Sequence, residues 1–209
     1  LAHNGYAIPS KEGSARRRTS AGEAAAGDYI MRVDPQHAGK ILENVWVVDF
    51  SSMYPTLGLQ DFLRIWDGPN PVAPLLQRLL NLRHEAGPDT PEGLCFKLLA
   101  NSVIGQLQTE WSVAGFSGFR YAQAVVERGK RALVSLAQHV RGENGFTVLT
   151  GDSDSLFLQA PDDFSGNRAS LDSWVEEISQ ELGFRPPRLK VEACYPRLCF
   201  AHTRRYEAY

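Results

Sequence analysis

The stretch FTVLTGDSDSLFLQ, residues 146–159, has a pattern typical of two short strands and the turn between them. Residues 146–149 and 155–159 are short apolar runs rich in strand-forming residues, and a turn sequence separates them. The stretch therefore predicts a β-hairpin with Asp152 and Asp154 at its tip. Taken alone, Gly-Asp-Ser-Asp can also be no more than a favourable turn sequence.

A second acidic position lies upstream of the hairpin, at Asp49. Residues 45–50, VWVVDF, are apolar and β-branched, which predicts a buried strand that brings Asp49 to its end. If the hairpin lies beside this strand, Asp49, Asp152 and Asp154 meet at one end of a sheet. Carboxylate oxygens suit Mg²⁺, which keeps positions open for substrate phosphates. Two such ions about 3.5–4 Å apart can activate an attacking hydroxyl and stabilise a leaving pyrophosphate.

Two helices are predicted between these acids. Leucines at helical spacing indicate a helix over residues 71–85, which a Gly-Pro pair ends. Thr90 is typical of an N-cap, and Pro91 after it opens a second helix that runs to about Leu107. So short a turn predicts an antiparallel helical hairpin.

The second helix carries Lys97, Asn101 and Gly105 on one face, because they are four residues apart. Lys97 can meet a phosphate as a point charge, and Arg83 of the first helix offers a planar fork to the same anion. Either cation alone is typical of a solvated surface charge. Both on one hairpin indicate a clamp for a nucleoside triphosphate.

The remaining pattern predicts an α+β chain. Apolar residues at steps of three and four indicate a long helix over residues 119–140, and another helix covers residues 170–182. Residues 189–193 and 198–202 are typical of two more strands. This order of elements predicts helices packed on a mainly antiparallel sheet.

Composition restricts the function classes. The chain has 209 residues, 43% hydrophobic and 22% charged, which is typical of a globular protein and disfavours disorder or a disulfide scaffold. No apolar run approaches a membrane span, so we expect no membrane partner. Three cysteines favour a reducing compartment, and we expect a cytoplasmic or nucleoid-associated location. The net charge is −2, yet six Lys or Arg against two Glu follow residue 184, which is a local basic excess.

Four segments together resemble the family B DNA polymerases. Residues 49–55, DFSSMYP, are similar to motif A of that family, D-F-x-S-L-Y-P, and residues 97–105, KLLANSVIG, to motif B, K-x-x-x-N-S-x-Y-G. Residues 151–155, GDSDS, are similar to motif C, G-D-T-D-S, and residues 204–206, RRY, resemble the K-x-Y motif. The segments occur in the order that the family has.

The resemblance implies a metal site. Asp49 and Asp154 would be the principal ligands of two Mg²⁺ ions, for which Mn²⁺ is an alternative. The carbonyl of Phe50 would help, and Asp152 would lie nearby in a lesser catalytic role.

The resemblance also implies nucleotide and DNA contacts. Backbone amides at the start of motif A would hold the triphosphate, and the Tyr54 ring would lie under the sugar and exclude a 2′-hydroxyl. The implied nucleotide contacts are Ser52, Met53, Tyr54, Arg83, Lys97 and Asn101, and the implied DNA contacts are Ile104, Gly105, Arg204 and Tyr206.

The family's organisation implies domains for this chain. We expect an N-terminal segment over residues 1–36 with a flexible loop at 11–27, a fingers hairpin over 71–108, and palm residues at 37–70 and 109–209. Exonuclease and thumb segments are not recognisable. The expected partners are primer–template DNA, dNTPs and a separate chain that bears a thumb or an exonuclease.

The function that the resemblance implies is a DNA-directed DNA polymerase core of replication or repair, which adds dNTPs to a primer 3′-hydroxyl. The alternative is a weak or inactive polymerase-like subunit that binds DNA or a partner polymerase chain. Ile104, where motif B has Tyr, and the lack of a thumb favour the alternative, whereas Asp49, Asp154 and Lys97 argue against it. A metal-binding domain without a nucleic-acid role would not explain Tyr54.

Overall fold

The computed structural model describes residues 30–31, 33, 36–65, 72–107, 112–113, 116–202 and 205–208. These residues belong to two compact units, a helical unit within residues 54–127 and a sheet unit formed by residues 28–53 and 128–209. The loop expected at 11–27 and the proposed DNA contact Arg204 lie outside the described residues.

The described residues form a sheet, a small two-stranded ribbon and several helices. The strands are β1 (Ile30–Met31), β2 (Ile41–Phe50), β3 (Ser112–Val113), β4 (Phe116–Ser117), β5 (Thr147–Asp152), β6 (Ser155–Gln159), β7 (Leu189–His202) and β8 (Arg205–Ala208). The helices are α1 (Met53–Ile65), α2 (Val72–Ala86), α3 (Pro91–Leu107), α4 (Gly118–Gly142) and α5 (Arg168–Leu182).

The sheet has the strand order β1-β5-β6-β2-β7-β8, and every neighbouring pair is antiparallel. The strands β5 and β6 form the predicted hairpin, and β6 lies directly beside β2, as the grouping of the three acids requires. The predicted α+β class with an antiparallel sheet is therefore confirmed.

One face of the sheet carries a hydrophobic core. Val45 and Val47 of β2 pack with Phe157 of β6 and with Leu198 and Phe200 of β7. The Phe157 and Phe200 rings meet edge to face, with their centroids 5.7 Å apart. Burial of these side chains holds β2 between two partner strands, and this fixes the end at which Asp49 lies.

The helical unit contains the predicted antiparallel pair α2 and α3. Thr90 caps α3 as expected, because its Oγ1 accepts a hydrogen bond from the Gly93 amide at 3.0 Å. Gly87 supports the turn with a φ of +90°, a conformation that L side chains rarely adopt. None of the helices in the described part of the chain is both long and apolar enough to span a membrane.

The strands expected at residues 189–193 and 198–202 are one continuous strand, β7, so that expectation was wrong. Pro196 interrupts the strand pattern in the sequence, but in the structure it stands opposite Asn44, between the pairs Glu43–Arg197 and Val45–Tyr195. Asn44 has a φ of 52°, so the ladder is already irregular there. A proline without an N–H is tolerated at such a position.

Helix α1 was not among the predicted elements. It begins at Met53, directly after the predicted strand, and Pro55 lies in its first turn. Proline is tolerated there because the first amides of a helix have no intrahelical acceptor.

Candidate active site

Asp49 lies in a row of residues that crosses the end of the sheet. It pairs with Ser155 of β6 on one side and with Lys190 of β7 on the other. Ser155 pairs in turn with Asp152 of β5. Directly paired residues of neighbouring strands project from the same face, so these four side chains leave the sheet on one side. Asp49 and Asp152 are two strands apart, or about 10 Å between backbones.

Two β-bulges produce this row. In the pairing of β2 with β7, the register shifts by one residue between Val47 and Val48, so Lys190 rather than Val191 faces Asp49.

In the pairing of β5 with β6, a shift between Val148 and Thr150 places Asp152 rather than Gly151 opposite Ser155. Each bulge redirects a charged residue into the row, a use of bulges that is common near active sites.

A backbone hydrogen bond joins the two acidic segments. The Phe50 amide donates to the Asp154 carbonyl oxygen at 2.9 Å, so the residue after Asp49 is bound directly to the hairpin tip. The next amide, of Ser51, donates to the Arg188 carbonyl oxygen at 2.8 Å. These bonds hold the end of β2 between the hairpin and the start of β7.

The hairpin tip is a tight turn at Ser153. Ser153 has a φ of 57°, and the Asp154 amide donates to the Asp152 carbonyl oxygen at 2.7 Å, across one residue. Ser155 Oγ donates to the same carbonyl oxygen at 3.1 Å, and Ser153 Oγ donates to Asp152 Oδ1 at 3.2 Å. The serines therefore order the tip and orient the Asp152 carboxylate.

Asp49 is the most buried acid of the site, with 3% of its surface exposed. Its Oδ2 lies 3.7 Å from Lys190 Nζ, an ion-pair distance beyond that of a hydrogen bond. Asp152 and Asp154 are half-buried. The site thus combines one deeply placed carboxylate with two that reach solvent.

The donor atoms fit a hard divalent cation. Among the described residues, no three His, Cys, Asp or Glu side chains are grouped as in a metal cage. Mg²⁺ does not need such a cage, because it is commonly bound through one or two carboxylates together with waters and substrate phosphates. The carboxylates of Asp49 and Asp154 and the carbonyl of Phe50 supply oxygen donors of this kind.

The helical unit carries the other predicted phosphate contacts. Lys97 and Asn101 are both half-buried and lie one turn apart in α3, so they share a face as predicted. Arg83 lies in the last turn of α2 and is 7% exposed. Gly105 is exposed, and a Cβ added there would meet nothing within 4 Å.

Ile104 lies at a close contact between helices of the helical unit. It is 3% exposed, and a Cβ added at Gly58 of α1 would lie 2.9 Å from Ile104 Cδ1. The same added Cβ would lie 3.0 Å from the hydroxyl of Tyr121, which donates a hydrogen bond to the Gly58 carbonyl oxygen. The predicted DNA contact Ile104 therefore packs against α1 next to a phenol that α4 supplies.

The remaining predicted residues divide between the two units. Ser52, with a φ of 51°, and Met53 are buried just after the acidic row, and Tyr54 is half-buried in the first turn of α1. Tyr206 lies in β8, where its backbone pairs with Phe200.

Lys190 was not among the predicted site residues and entered the sequence analysis only as part of the basic excess. The bulge that directs it at Asp49 has no signal in the sequence.

Comparison with known proteins relates this chain to DNA polymerases. It is 26% identical over 220 residues to DNA polymerase 2 of Aeropyrum pernix, covering 86% of this chain, and 25% identical over 218 residues to the DNA polymerase of Archaeoglobus fulgidus, covering 88%. A third relative is the DNA polymerase zeta catalytic subunit of Drosophila melanogaster, 29% identical over 143 residues, which are 64% of this chain and 6% of the relative. No family model matches the chain.

A solved structure shows the same fold. The family B DNA polymerase of Pyrobaculum calidifontis matches 87% of this chain with a TM-score of 0.57 and 21% sequence identity. This chain spans 27% of that structure and about a quarter of the two archaeal relatives, 25% and 26%. The resemblance to family B DNA polymerases is confirmed, and it concerns one part of such proteins.

Proposed function

We propose that this relative of the family B DNA polymerases is the palm-and-fingers part of a DNA-directed DNA polymerase. The observation that carries the proposal is the hydrogen bond of 2.9 Å from the Phe50 amide to the Asp154 carbonyl oxygen. It unites two acidic segments that are far apart in the sequence, at the end of a row containing Asp49 and Asp152. Acids brought together in this way can serve phosphoryl transfer.

The reaction is the attack of a primer 3′-hydroxyl oxygen on the α-phosphorus of a dNTP. A bond forms between these atoms, the hydroxyl proton passes to solvent water, the bond from the α-phosphorus to the bridging oxygen breaks, and pyrophosphate leaves. Asp49 and Asp154, with the Phe50 carbonyl, would hold Mg²⁺, or Mn²⁺ in its place. The bound cation supplies charge stabilisation for the attacking and leaving oxygens. The carboxylates contribute by fixing that charge in place before the reaction.

The start of α1 is suited to the triphosphate. The first amides of a helix have no intrahelical acceptors, and the helix dipole favours an anion there. Met53 provides the first such amide, and Ser52 directly precedes it. Tyr54 follows them, and we assign its ring to the sugar, where it would exclude a 2′-hydroxyl.

We also assign phosphate contacts to the helical unit, considered by itself. Lys97 and Asn101 share one face of α3, and Arg83 supplies a guanidinium from α2. An ammonium acts on phosphate as a point charge, whereas a guanidinium offers paired donors. The residues proposed to contact primer–template DNA are Gly105, Arg204 and Tyr206, whereas Ile104 is 3% exposed and packs against α1.

Primer extension tests the proposal. The 209-residue chain is incubated with a primed template, four dNTPs and Mg²⁺, and extension is compared between wild type and Asp49→Asn. Asp172→Asn is the matched control, because Asp172 is a surface acid of α5 that pairs with Arg168 at 2.7 Å. The reaction is run at low ionic strength, because few phosphate contacts hold the DNA and we expect little extension by the isolated chain at physiological salt. Under these conditions we expect extension by wild type and the control and none by Asp49→Asn. Duplex binding without extension by the wild type would instead identify a polymerase-like binding subunit.

A further inference from the structure

We infer that Lys190 competes with divalent cations for Asp49, so that the site without nucleotide binds such cations weakly. The inference rests on the proposed function, since it assumes that Asp49 is a metal ligand. It adds a role for a cationic residue that none of the four sequence motifs contains.

A β-bulge in the pairing of β2 with β7 places Lys190 opposite Asp49. From Ile41 to Val47, residues of β2 pair with β7 in one regular register, from Cys199 down to Ala193. Had this register continued, Val191 would face Asp49. The extra residue at the bulge brings Lys190 there instead, and a one-residue shift exchanges the two faces of a strand.

The resulting ion pair is more buried than the ion pair at the opposite end of β2 and β7. Lys190 Nζ is 3.7 Å from Asp49 Oδ2, and the side chains are 35% and 4% exposed. At the opposite end of the same two strands, Arg197 and Glu43 approach to 4.0 Å, but their side chains are 55% and 75% exposed. Solvent screens the second pair, whereas the carboxylate of the first pair is withdrawn from water.

Competition follows from charge and position. A cation bound at Asp49 would use the oxygen atoms that Lys190 already neutralises, and the ammonium would repel it. Even with the dielectric constant of water, a unit charge about 5 Å from a divalent ion weakens its binding about tenfold. Removal of the Lys190 charge should therefore strengthen cation binding.

Titration with Mn²⁺, followed by the electron paramagnetic resonance signal of the free ion, measures this without any reaction. The 209-residue chain is used without nucleotide. We expect Lys190→Met to bind Mn²⁺ at least about tenfold more tightly than wild type. Lys190→Arg, which keeps the charge, and Arg197→Met, which removes the exposed pair of the same strands, should both match wild type.

Two further results would each refute part of the inference, and a replacement variant covers misfolding. If Lys190→Met binds Mn²⁺ within a factor of about two of wild type while Asp49→Asn abolishes binding, the competition is refuted and the metal site stands. If Asp49→Asn binds as wild type does, the metal site itself, and with it the proposed function, is refuted. If Lys190→Met lacks the circular dichroism spectrum of wild type, Lys190→Gln replaces it with the same expected gain.

Discussion

Tyr54 is the second residue of α1, and its side chain is half-buried. A helical backbone limits the rotamers of an aromatic side chain, so the direction of this ring is restricted. A ring held beside the sugar of a nucleotide discriminates by its volume, because a 2′-hydroxyl needs the space that it fills.

We predict that Tyr54→Ala raises ribonucleotide incorporation relative to deoxynucleotide incorporation by at least about tenfold, equivalent to about 1.4 kcal/mol. Tyr54→Phe keeps the ring and should discriminate as wild type does. The measurement is kcat/KM for competing rNTP and dNTP. A Tyr54→Ala protein that is less stable but equally selective would show that Tyr54 is only a packing residue.

Single residues of the site were predictable to different degrees. Asp49, Asp152 and Asp154 could be assigned to one sheet end because strand patterns and turn chemistry are local. The approach of Lys190 to Asp49 could not be predicted, because it depends on a bulge in the pairing of β2 with β7. The burial of Ile104 was also not predictable, since it depends on the absence of a side chain at Gly58.

Among the elements, α3 begins at a tight contact with the turn before it. A Cβ added at Gly93 would lie 2.0 Å from the Gly87 carbonyl oxygen, so the turn and the first helical residues require a glycine there. Gly105, in the last turns of the same helix, has open space around an added Cβ.

We predict that Gly93→Ala lowers the free energy of unfolding by about 2–3 kcal/mol, because backbone atoms must move. Gly105→Ala should raise it by up to about 1 kcal/mol, since alanine is the better helix former. Urea denaturation compares them. If Gly105 contacts DNA, the stabilised Gly105→Ala protein should also extend primers more slowly. Equal stabilities of the two variants would contradict the geometry of the turn.

A second prediction concerns the contact of α1 with α3 and α4. Gly58→Ala should cost about 1–3 kcal/mol, because its Cβ would meet Ile104 Cδ1 and the Tyr121 hydroxyl. Ile104→Val removes Cδ1, so the double variant should be at least about 0.5 kcal/mol more stable than the sum of the single effects predicts. Strict additivity would mean that Ile104 and Gly58 do not touch.

Element boundaries followed the sequence where local chemistry sets them. Helix α3 spans the predicted residues 91–107, because Thr90 and Pro91 define its start. The two strands expected within β7 are one, because Pro196 faces an irregular position of the neighbouring strand. Helix α1 was not predicted, because the proline in its first turn is not typical of a helix interior.

For the whole molecule, the sheet order brings β6 beside β2 and so joins acids that the sequence separates. The net charge of −2 gives no indication of a nucleic-acid partner, although a local basic excess follows residue 184. The proposed function therefore rests on the acidic row and the hairpin tip rather than on overall composition.

We propose that Asp49 and Asp154 carry metal-dependent nucleotide addition and that Asp152 has a lesser part. The measurement is single-turnover addition of one dNTP to a primed template in Mg²⁺, with protein in excess. We expect Asp49→Asn and Asp154→Asn each to slow addition by at least about a hundredfold, because loss of an anionic ligand weakens the hold on a hard cation. Asp152→Asn should cost clearly less, and all three proteins should keep the wild-type circular dichroism spectrum. Equal and small losses for the three variants would contradict the assignment of this site.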